Sequence, residues 1–306
     1  MPLIMRIKIT LAADTSGIID FNYQHQIQAV IYGFLSRSNP DYAQWLHQQG
    51  FVYKKDKRFK LFVFSGITFN CPIKIIRSNR LSSSNGLNGL NGFIGLNSLN
   101  SRNGFSFAGS KNSPFTFSFQ IASPVDKFIQ HLIEGIFHEG NEITIGRQKI
   151  TIYRIETLPD PLSSSNSSSG LIGLNVYPLE SPIFIKKPMP PGQQDIYLFP
   201  GDEDYEELLN QNLTHKYETL YGKQYEGEPL KFDFQLEQFE LLNRFKRLKP
   251  KLIKSFKIFK NGKITGEIKG TLQPFTVTGP KELVRIGLEC GFGQNNSIGC
   301  GYVEII

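Results

Sequence analysis

The stretch Phe115-Thr116-Phe117-Ser118-Phe119-Gln120-Ile121-Ala122-Ser123-Pro124-Val125-Asp126-Lys127-Phe128-Ile129-Gln130-His131-Leu132-Ile133-Glu134-Gly135-Ile136 changes its hydrophobic period halfway along, and the change decides the fold. Phe115, Phe117, Phe119 and Ile121 alternate with polar residues, the period of two that lays one face of a strand on a core. From Val125 the spacing becomes three and four: Phe128, Ile129, Leu132, Ile133 and Ile136 form a helical stripe that stops at Gly140. Ser123-Pro124 marks the junction, because it offers a hydroxyl to the free N–H groups of a helix start and then a residue that needs no donor.

Working outward, residues 3–11 alternate as a half-buried strand, and Ile27, Val30, Ile31, Phe34 and Leu35 recur at helical spacing. A shorter helix follows, with Asn39 as N-cap, Pro40 at its first position and Gly50 past its end. Residues 59–69 read as a strand, and 143–156 as β-rich sequence with a turn or bulge at Gly146. The order β-α-β-β-α-β is the ferredoxin-like unit. Further on, 171–185 reads as extended, 202–221 as helical, 230–238 and 252–278 as strands, 280–288 as a short helix and 301–306 as a closing strand, so a second copy is expected. The predicted fold class is α+β: two tandem ferredoxin-like domains, 1–159 and 160–306, with low-complexity loop insertions. Those insertions, 81–111 and 163–175, are turn-rich, and the Asn-Gly-Leu repeats of the first and the Ser-Ser-Ser-Asn of the second are almost uncharged. They have too few Lys or Arg to grip phosphate, and loop closure costs little more as a loop lengthens, so they are expected to be inert.

The chain holds 306 residues, 40% of them hydrophobic, with no apolar run of membrane-spanning length. A soluble cytoplasmic protein without a signal peptide is expected. Cys71, Cys290 and Cys300 make neither an even disulfide framework nor a zinc spacing, which fits a reducing cytoplasm. No metal and no cofactor are expected. A net charge of +7 favours an anionic partner such as nucleic acid.

The C-terminal run Gly287-Leu288-Glu289-Cys290-Gly291-Phe292-Gly293-Gln294-Asn295-Asn296-Ser297-Ile298-Gly299-Cys300-Gly301 crowds five glycines around a Gln-Asn-Asn-Ser core. Glycine is favoured where backbone must take positive φ or approach another surface closely. A dinucleotide site is excluded by position, because its fingerprint needs a helix, a strand and an acidic residue downstream, and only five residues follow Gly301.

This run, the strand Met5-Arg6-Ile7-Lys8-Ile9-Thr10, and the stretch Tyr32-Gly33-Phe34-Leu35-Ser36-Arg37-Ser38-Asn39-Pro40-Asp41-Tyr42-Ala43-Gln44-Trp45-Leu46-His47 resemble the CRISPR-associated endoribonucleases that process precursor CRISPR RNA, members of the repeat-associated mysterious protein (RAMP) superfamily. The likeness is strongest at 21–69 and 280–306 and weakest at 186–240. It implies two ferredoxin-like domains, a glycine-rich loop near bound RNA, and cleavage without a metal. In that chemistry the RNA's 2′-hydroxyl attacks the adjacent phosphate, leaving a 2′,3′-cyclic phosphate and a 5′-hydroxyl.

By matching motif, the resemblance puts the catalytic residues at Tyr32, His47 and Lys60. A histidine at the end of a short helix suits a general acid: it titrates near neutrality, and the helix carbonyls favour the imidazolium by about 0.3–1 kcal/mol. Tyr32, with an unperturbed pKa of about 10, suits an orienting hydrogen bond to the 2′-hydroxyl better than a full base. Lys60 would meet charge developing on the phosphate. Lys54, Lys55, Lys57 and Arg58 precede it and could substitute, and His25, two turns before Tyr32 on the same face, competes with His47. His131, His138 and His215 are expected at the surface.

Between Arg244 and Lys269, the residues Arg244, Lys246, Arg247, Lys249, Lys251, Lys254, Lys257, Lys260, Lys263 and Lys269 face one carboxylate, Glu267, with Phe245, Phe256 and Phe259 interleaved. This run is expected to hold repeat RNA by its phosphates. Gly291, Gly293, Asn295, Asn296, Ser297, Gly299 and Gly301 are expected to contact RNA too, unless the glycines serve packing between the domains. The partner implied is CRISPR repeat RNA, as precursor and mature product, with CRISPR effector subunits and a homodimer left open. Two other classes compete: a non-catalytic RNA-binding subunit of an effector complex, against which His47 argues, and a general single-strand RNA binder.

Overall fold

The computed structural model describes residues 5–54, 57–76, 104–138, 140–163, 170–190, 192–193, 195–234, 252–260 and 263–306. Two antiparallel sheets organise them. In the first, the Met5–Ala13 strand lies between Phe115–Ser123 and Gln148–Leu158, while Val63–Phe64 and Thr68–Phe69 pair with the outer side of Phe115–Ser123 and Glu142–Ile145 extends the opposite edge. In the second, Leu171–Pro178 lies between Phe275–Pro280 and Val303–Ile305, with Lys231–Asp233 outside Phe275–Pro280. Both follow the ferredoxin-like order: the first strand of the unit sits between the third and fourth, and the second flanks the third.

Helices α1 (Gln24–Ser38), α2 (Pro40–Gln48) and α3 (Asp126–His138) complete the first half, and α4 (Tyr205–Tyr221) and α5 (Lys281–Cys290) the second. The stripes read from the sequence are the buried ones: Ile27, Ile31, Phe34 and Leu35 meet Phe128, Ile129, Leu132 and Ile136 over Ile7, Ile9, Phe117 and Phe119. Asn39 caps α2 by accepting from the Tyr42 N–H at 2.9 Å, as its position predicts.

The predicted strand 59–69 is broken. Leu61 takes φ +51, which ends the Lys57–Phe59 strand and turns the chain before Val63–Phe64. A left-handed leucine costs roughly 1–2 kcal/mol, and its burial among the apolar residues of the second half offsets that cost. The predicted insertion 163–175 also gives up its last residues, because the first strand of the second sheet begins at Leu171 and Ile172 is buried. The predicted insertion 81–111 likewise gives up its end: residues 81–103 lie outside the described residues, but Gly104–Phe107 is a strand, paired antiparallel with Lys74–Ile76.

The halves meet through polar contacts as well as apolar ones. Arg6, on the face of its strand opposite Ile7 and Ile9, donates to the Val303 carbonyl at 2.7 Å and lies over the Tyr302 ring. The Tyr302 hydroxyl donates to Gln120 Oε1 at 2.6 Å, and Gln120 reaches on to Glu304. Among the described residues no helix is long and apolar enough to cross a membrane.

Candidate active site

Helix α1 brings Tyr32 to the end of α2. The Tyr32 ring stands edge-on to His47, centroids 5.1 Å apart, and to Phe62 at 6.1 Å. Burial first, and then the neighbouring Tyr42, raise the Tyr32 phenol well above the ordinary tyrosine range, so it stays protonated at neutral pH. His47 is exposed in the last turn of α2, where carbonyls point outward.

Lys60 closes that helix end. Its ammonium donates to the carbonyls of Leu46 and, at 2.7 Å, of His47. The route past the helix is open because Gly50 takes φ +63 and has no Cβ, which would stand 3.0 Å from Lys60 Cδ and 2.6 Å from the Phe59 carbonyl. Burial, then Arg58, lower the Lys60 pKa. Its ammonium is therefore turned to backbone carbonyls beside His47, and not only to an open face.

A cavity of about 310 Å³ extends from Lys60 to the second half, lined by Lys57, Arg58, Lys60, Asn212, Lys216 and residues 294–297, with no carboxylate in its wall among the described residues. Lys57 donates to His215 Nδ1 at 2.9 Å, and His215 stacks on Tyr53 at 4.2 Å. Burial first and Lys57 second push His215 down to about 4, which keeps it a neutral acceptor. The expectation of solvated histidines fails for His215 and also for His131, which bonds Ser38 at 2.8 Å and Glu134 at 3.3 Å. His138 is exposed, and His25 is exposed at the start of α1, about 10 Å along the helix from Tyr32.

The glycine-rich loop divides by role. Gly291, Gly293, Gly299 and Gly301 are buried at φ between +77 and +94. A Cβ at Gly301 would lie 2.0 Å from the Phe292 carbonyl, and one at Gly299 would strike Phe64 and Gln24 of the first half. Asn296 is buried and donates to the Cys300 carbonyl at 2.9 Å. These five residues shape the loop. Asn295 is exposed and Ser297 half-buried beside the cavity, and the Ser297 carbonyl accepts from Gln28 of α1 at 2.9 Å.

On the hairpin Ile253–Lys260 and Lys263–Thr271, Lys254 shares the inward face with buried Phe256. Its ammonium donates to Glu180 Oε2 at 3.0 Å, to the Glu180 carbonyl at 2.7 Å and to the Tyr23 hydroxyl at 3.2 Å. In place of a phosphate-facing head, Lys254 thus holds the hairpin to the rest of the molecule. Lys257 is exposed, opposite Glu267, which also pairs with Lys269 at 3.3 Å. Arg244, Lys246, Arg247, Lys249 and Lys251, like Lys55, lie outside the described residues.

Sequence reasoning overlooked Lys216, whose ammonium donates to the carbonyls of Gly291 and Gly293 at 2.6 and 2.8 Å. A signal existed: Leu209, Asn212, Leu213, Lys216 and Tyr217 fall at one helical face, so two polar residues occupy core positions of α4.

Comparison with known proteins finds two family descriptions along the chain: the C-terminal part of CRISPR associated protein Cas6 at residues 174–305, and the N-terminal part of CRISPR-associated protein Cas6 at 18–86. A CRISPR-associated endoribonuclease Cas6 of Methanocaldococcus jannaschii is 26% identical over 303 residues, 98% of this chain and 92% of the relative. A solved structure of a Cas6-related gene product from Pyrococcus furiosus superposes with a TM-score of 0.67 at 20% identity, covering 99% of this chain and 98% of that one. Another, described as a RAMP protein binding different RNA substrates, gives 0.67 at 18% identity over 99% of both chains. Both structures share the fold described above.

Proposed function

The chain belongs to the Cas6 family of CRISPR-associated proteins, and from that premise we propose that it is an endoribonuclease that cuts precursor CRISPR RNA within its repeats without a metal ion. The observation that carries the proposal is the juxtaposition of an exposed His47 with the Tyr32 ring at 5.1 Å, at a helix end closed by Lys60 and beside a basic cavity. Tyr32, held protonated, hydrogen-bonds the 2′-hydroxyl and aims it at the phosphorus. As the bond from the 2′-oxygen to phosphorus forms and the 2′ proton passes to water, the bond to the 5′-oxygen breaks. His47 as imidazolium gives that oxygen its proton, leaving a 2′,3′-cyclic phosphate and a 5′-hydroxyl. Lys60, with Lys57 and Arg58 in reach, offsets charge gathering on the phosphoryl oxygens.

In this proposal residues 1–159 carry the cutting groups and 160–306 supply the glycine-rich loop. Asn295, Ser297, Lys257 and the basic run ahead of residue 252 hold repeat RNA, in the reducing cytoplasm that suits free Cys71, Cys290 and Cys300. The test uses repeat RNA in EDTA, intact or carrying a 2′-deoxy substitution at the scissile nucleotide. Cleavage of the intact RNA alone, with a cyclic phosphate on the upstream product, is expected. Binding without cleavage would make the chain a non-catalytic RNA-binding subunit, and cleavage only with added Mg²⁺ would overturn the mechanism.

A further inference from the structure

Lys216 presents a problem that folding alone does not answer. It lies on α4 at 2% exposure, and Asn212, one turn earlier, is 3% exposed with its Oδ1 unpaired among the described residues. Burying an ammonium is a costly way to hold a helix on a core, and an apolar side chain of similar length usually does as well or better. What the ammonium does here is specific. It reaches the carbonyls of Gly291 and Gly293, residues two apart that both take positive φ.

The same short segment is tied from its other side, since the Phe292 N–H goes to the Gly301 carbonyl at 2.9 Å and the Gln294 N–H to the Phe184 carbonyl at 2.8 Å. Held from both sides up to residue 294, the chain delivers Asn295 and Ser297 to the cavity that Asn212 and Lys216 also line. That cavity has lysines and an arginine on one wall and amide side chains on the other, complementary to a phosphodiester with its ribose or base.

We propose that Lys216 is a positioning residue for RNA: its two bonds to the glycine-rich loop set the place of Asn295 and Ser297 against the substrate, without Lys216 itself joining the chemistry. The proposal rests on the endoribonuclease reading for its substrate, though not for the clamp. Burial lowers the Lys216 pKa to about 7, which is consistent with this role, because a neutral amine keeps two N–H donors, enough for both carbonyls.

The test compares the parent with Lys216→Met, which keeps the bulk and loses both donors, and Lys216→Gln, which keeps an amide donor. Non-cleavable 2′-deoxy repeat RNA reports affinity, single-turnover cleavage at saturating RNA reports chemistry, and hydrogen exchange of the Phe292 and Gln294 amides reports the clamp. For Lys216→Met, affinity is expected to fall roughly tenfold, the scale of the hydrogen bonds lost, while the saturating rate moves by less than about threefold. The two loop amides should exchange faster while those of α1 do not, and Lys216→Gln should recover part of the affinity. If the methionine variant does not fold, the glutamine variant carries the same comparison.

Affinity within twofold of the parent despite faster loop exchange would overturn the positioning role, and unchanged exchange would overturn the clamp. A parent that neither binds nor cleaves repeat RNA would instead bring down the endoribonuclease reading, which is visible before any variant is made.

Discussion

The two halves repeat one strand order yet place their polar residues differently, and the helix after the first strand shows it best. In the first half, α1 presents Tyr32 half-buried to an exposed His47 at the end of α2. In the second, α4 turns Asn212 and Lys216 into the core, where Lys216 is fixed on two carbonyls. A group that must take up and release a proton needs solvent or substrate beside it, whereas a group that must hold a shape is best shut away from water. In the proposed function, one scaffold used twice gives a reactive edge in one copy and a clamped loop in the other.

The sharpest way to break this contrast is to remove the reactive edge. His47→Ala is expected to slow single-turnover cleavage at saturating RNA by about 10²–10⁴-fold, the usual worth of a positioned acid or base. Because the exposed side chain has little packing to lose, folding and RNA affinity should stay close to the parent. A loss below tenfold would move the acid role to His25, on the same face of α1.

Lys216 predicts a different signature, in stability and pH. Burial lowers its pKa from 10.5 to about 7 in the folded protein. Below pH 7 both folded and unfolded chains carry the proton, and the burial penalty is fully present. Between 7 and 10.5 the unfolded chain binds the proton and the folded one does not, so folding gains as pH rises, by at most about 1.4 kcal/mol per pH unit. Denaturant unfolding of the parent and of Lys216→Met at pH 7 and pH 9 isolates this group. The parent should gain roughly 2 kcal/mol on the variant across that interval. An equal gap at both pH values would mean that Lys216 keeps its proton when folded.

How much of this was legible follows from which residues carried a period. The apolar stripes of α1 and α3 and the alternation of 115–121 are local, so they gave the first ferredoxin-like unit and the cap at Asn39. Leu61 was not legible, because its left-handed turn is supported by distant partners, burial in the core of the second half and the Ser123 hydroxyl on its carbonyl. The glycine-rich loop was readable as a site of close approach, with packing between the domains as one reading, but not glycine by glycine: Gly299 lies against Phe64 and Gln24 of the first half, whereas Gly293 and Gly301 lie against the Phe184 and Phe292 carbonyls of the second. Lys216 stood in a core stripe, and only its partners 75 and 77 residues away explain it. The pairing of Lys57 with His215 spans 158 residues and left no trace in either local pattern.

The smallest effect comes from two lysines on opposite faces of one strand, and it asks whether the contrast between holding and touching persists within a single hairpin. Lys257 is exposed, and Lys257→Ala should leave stability within about 0.5 kcal/mol and weaken RNA binding similarly for all sequences, lowering the slope of log K against log salt by about 1. Lys254 points the other way, its head shared between Glu180 and Tyr23, so Lys254→Ala should cost about 1 kcal/mol of stability and leave the salt slope as it was. Titrating RNA affinity against salt for both variants separates the faces. A flattened slope for Lys254→Ala with an unchanged one for Lys257→Ala would put the phosphates on the inner face, and the Lys254 ion pair would then have to open for RNA to bind.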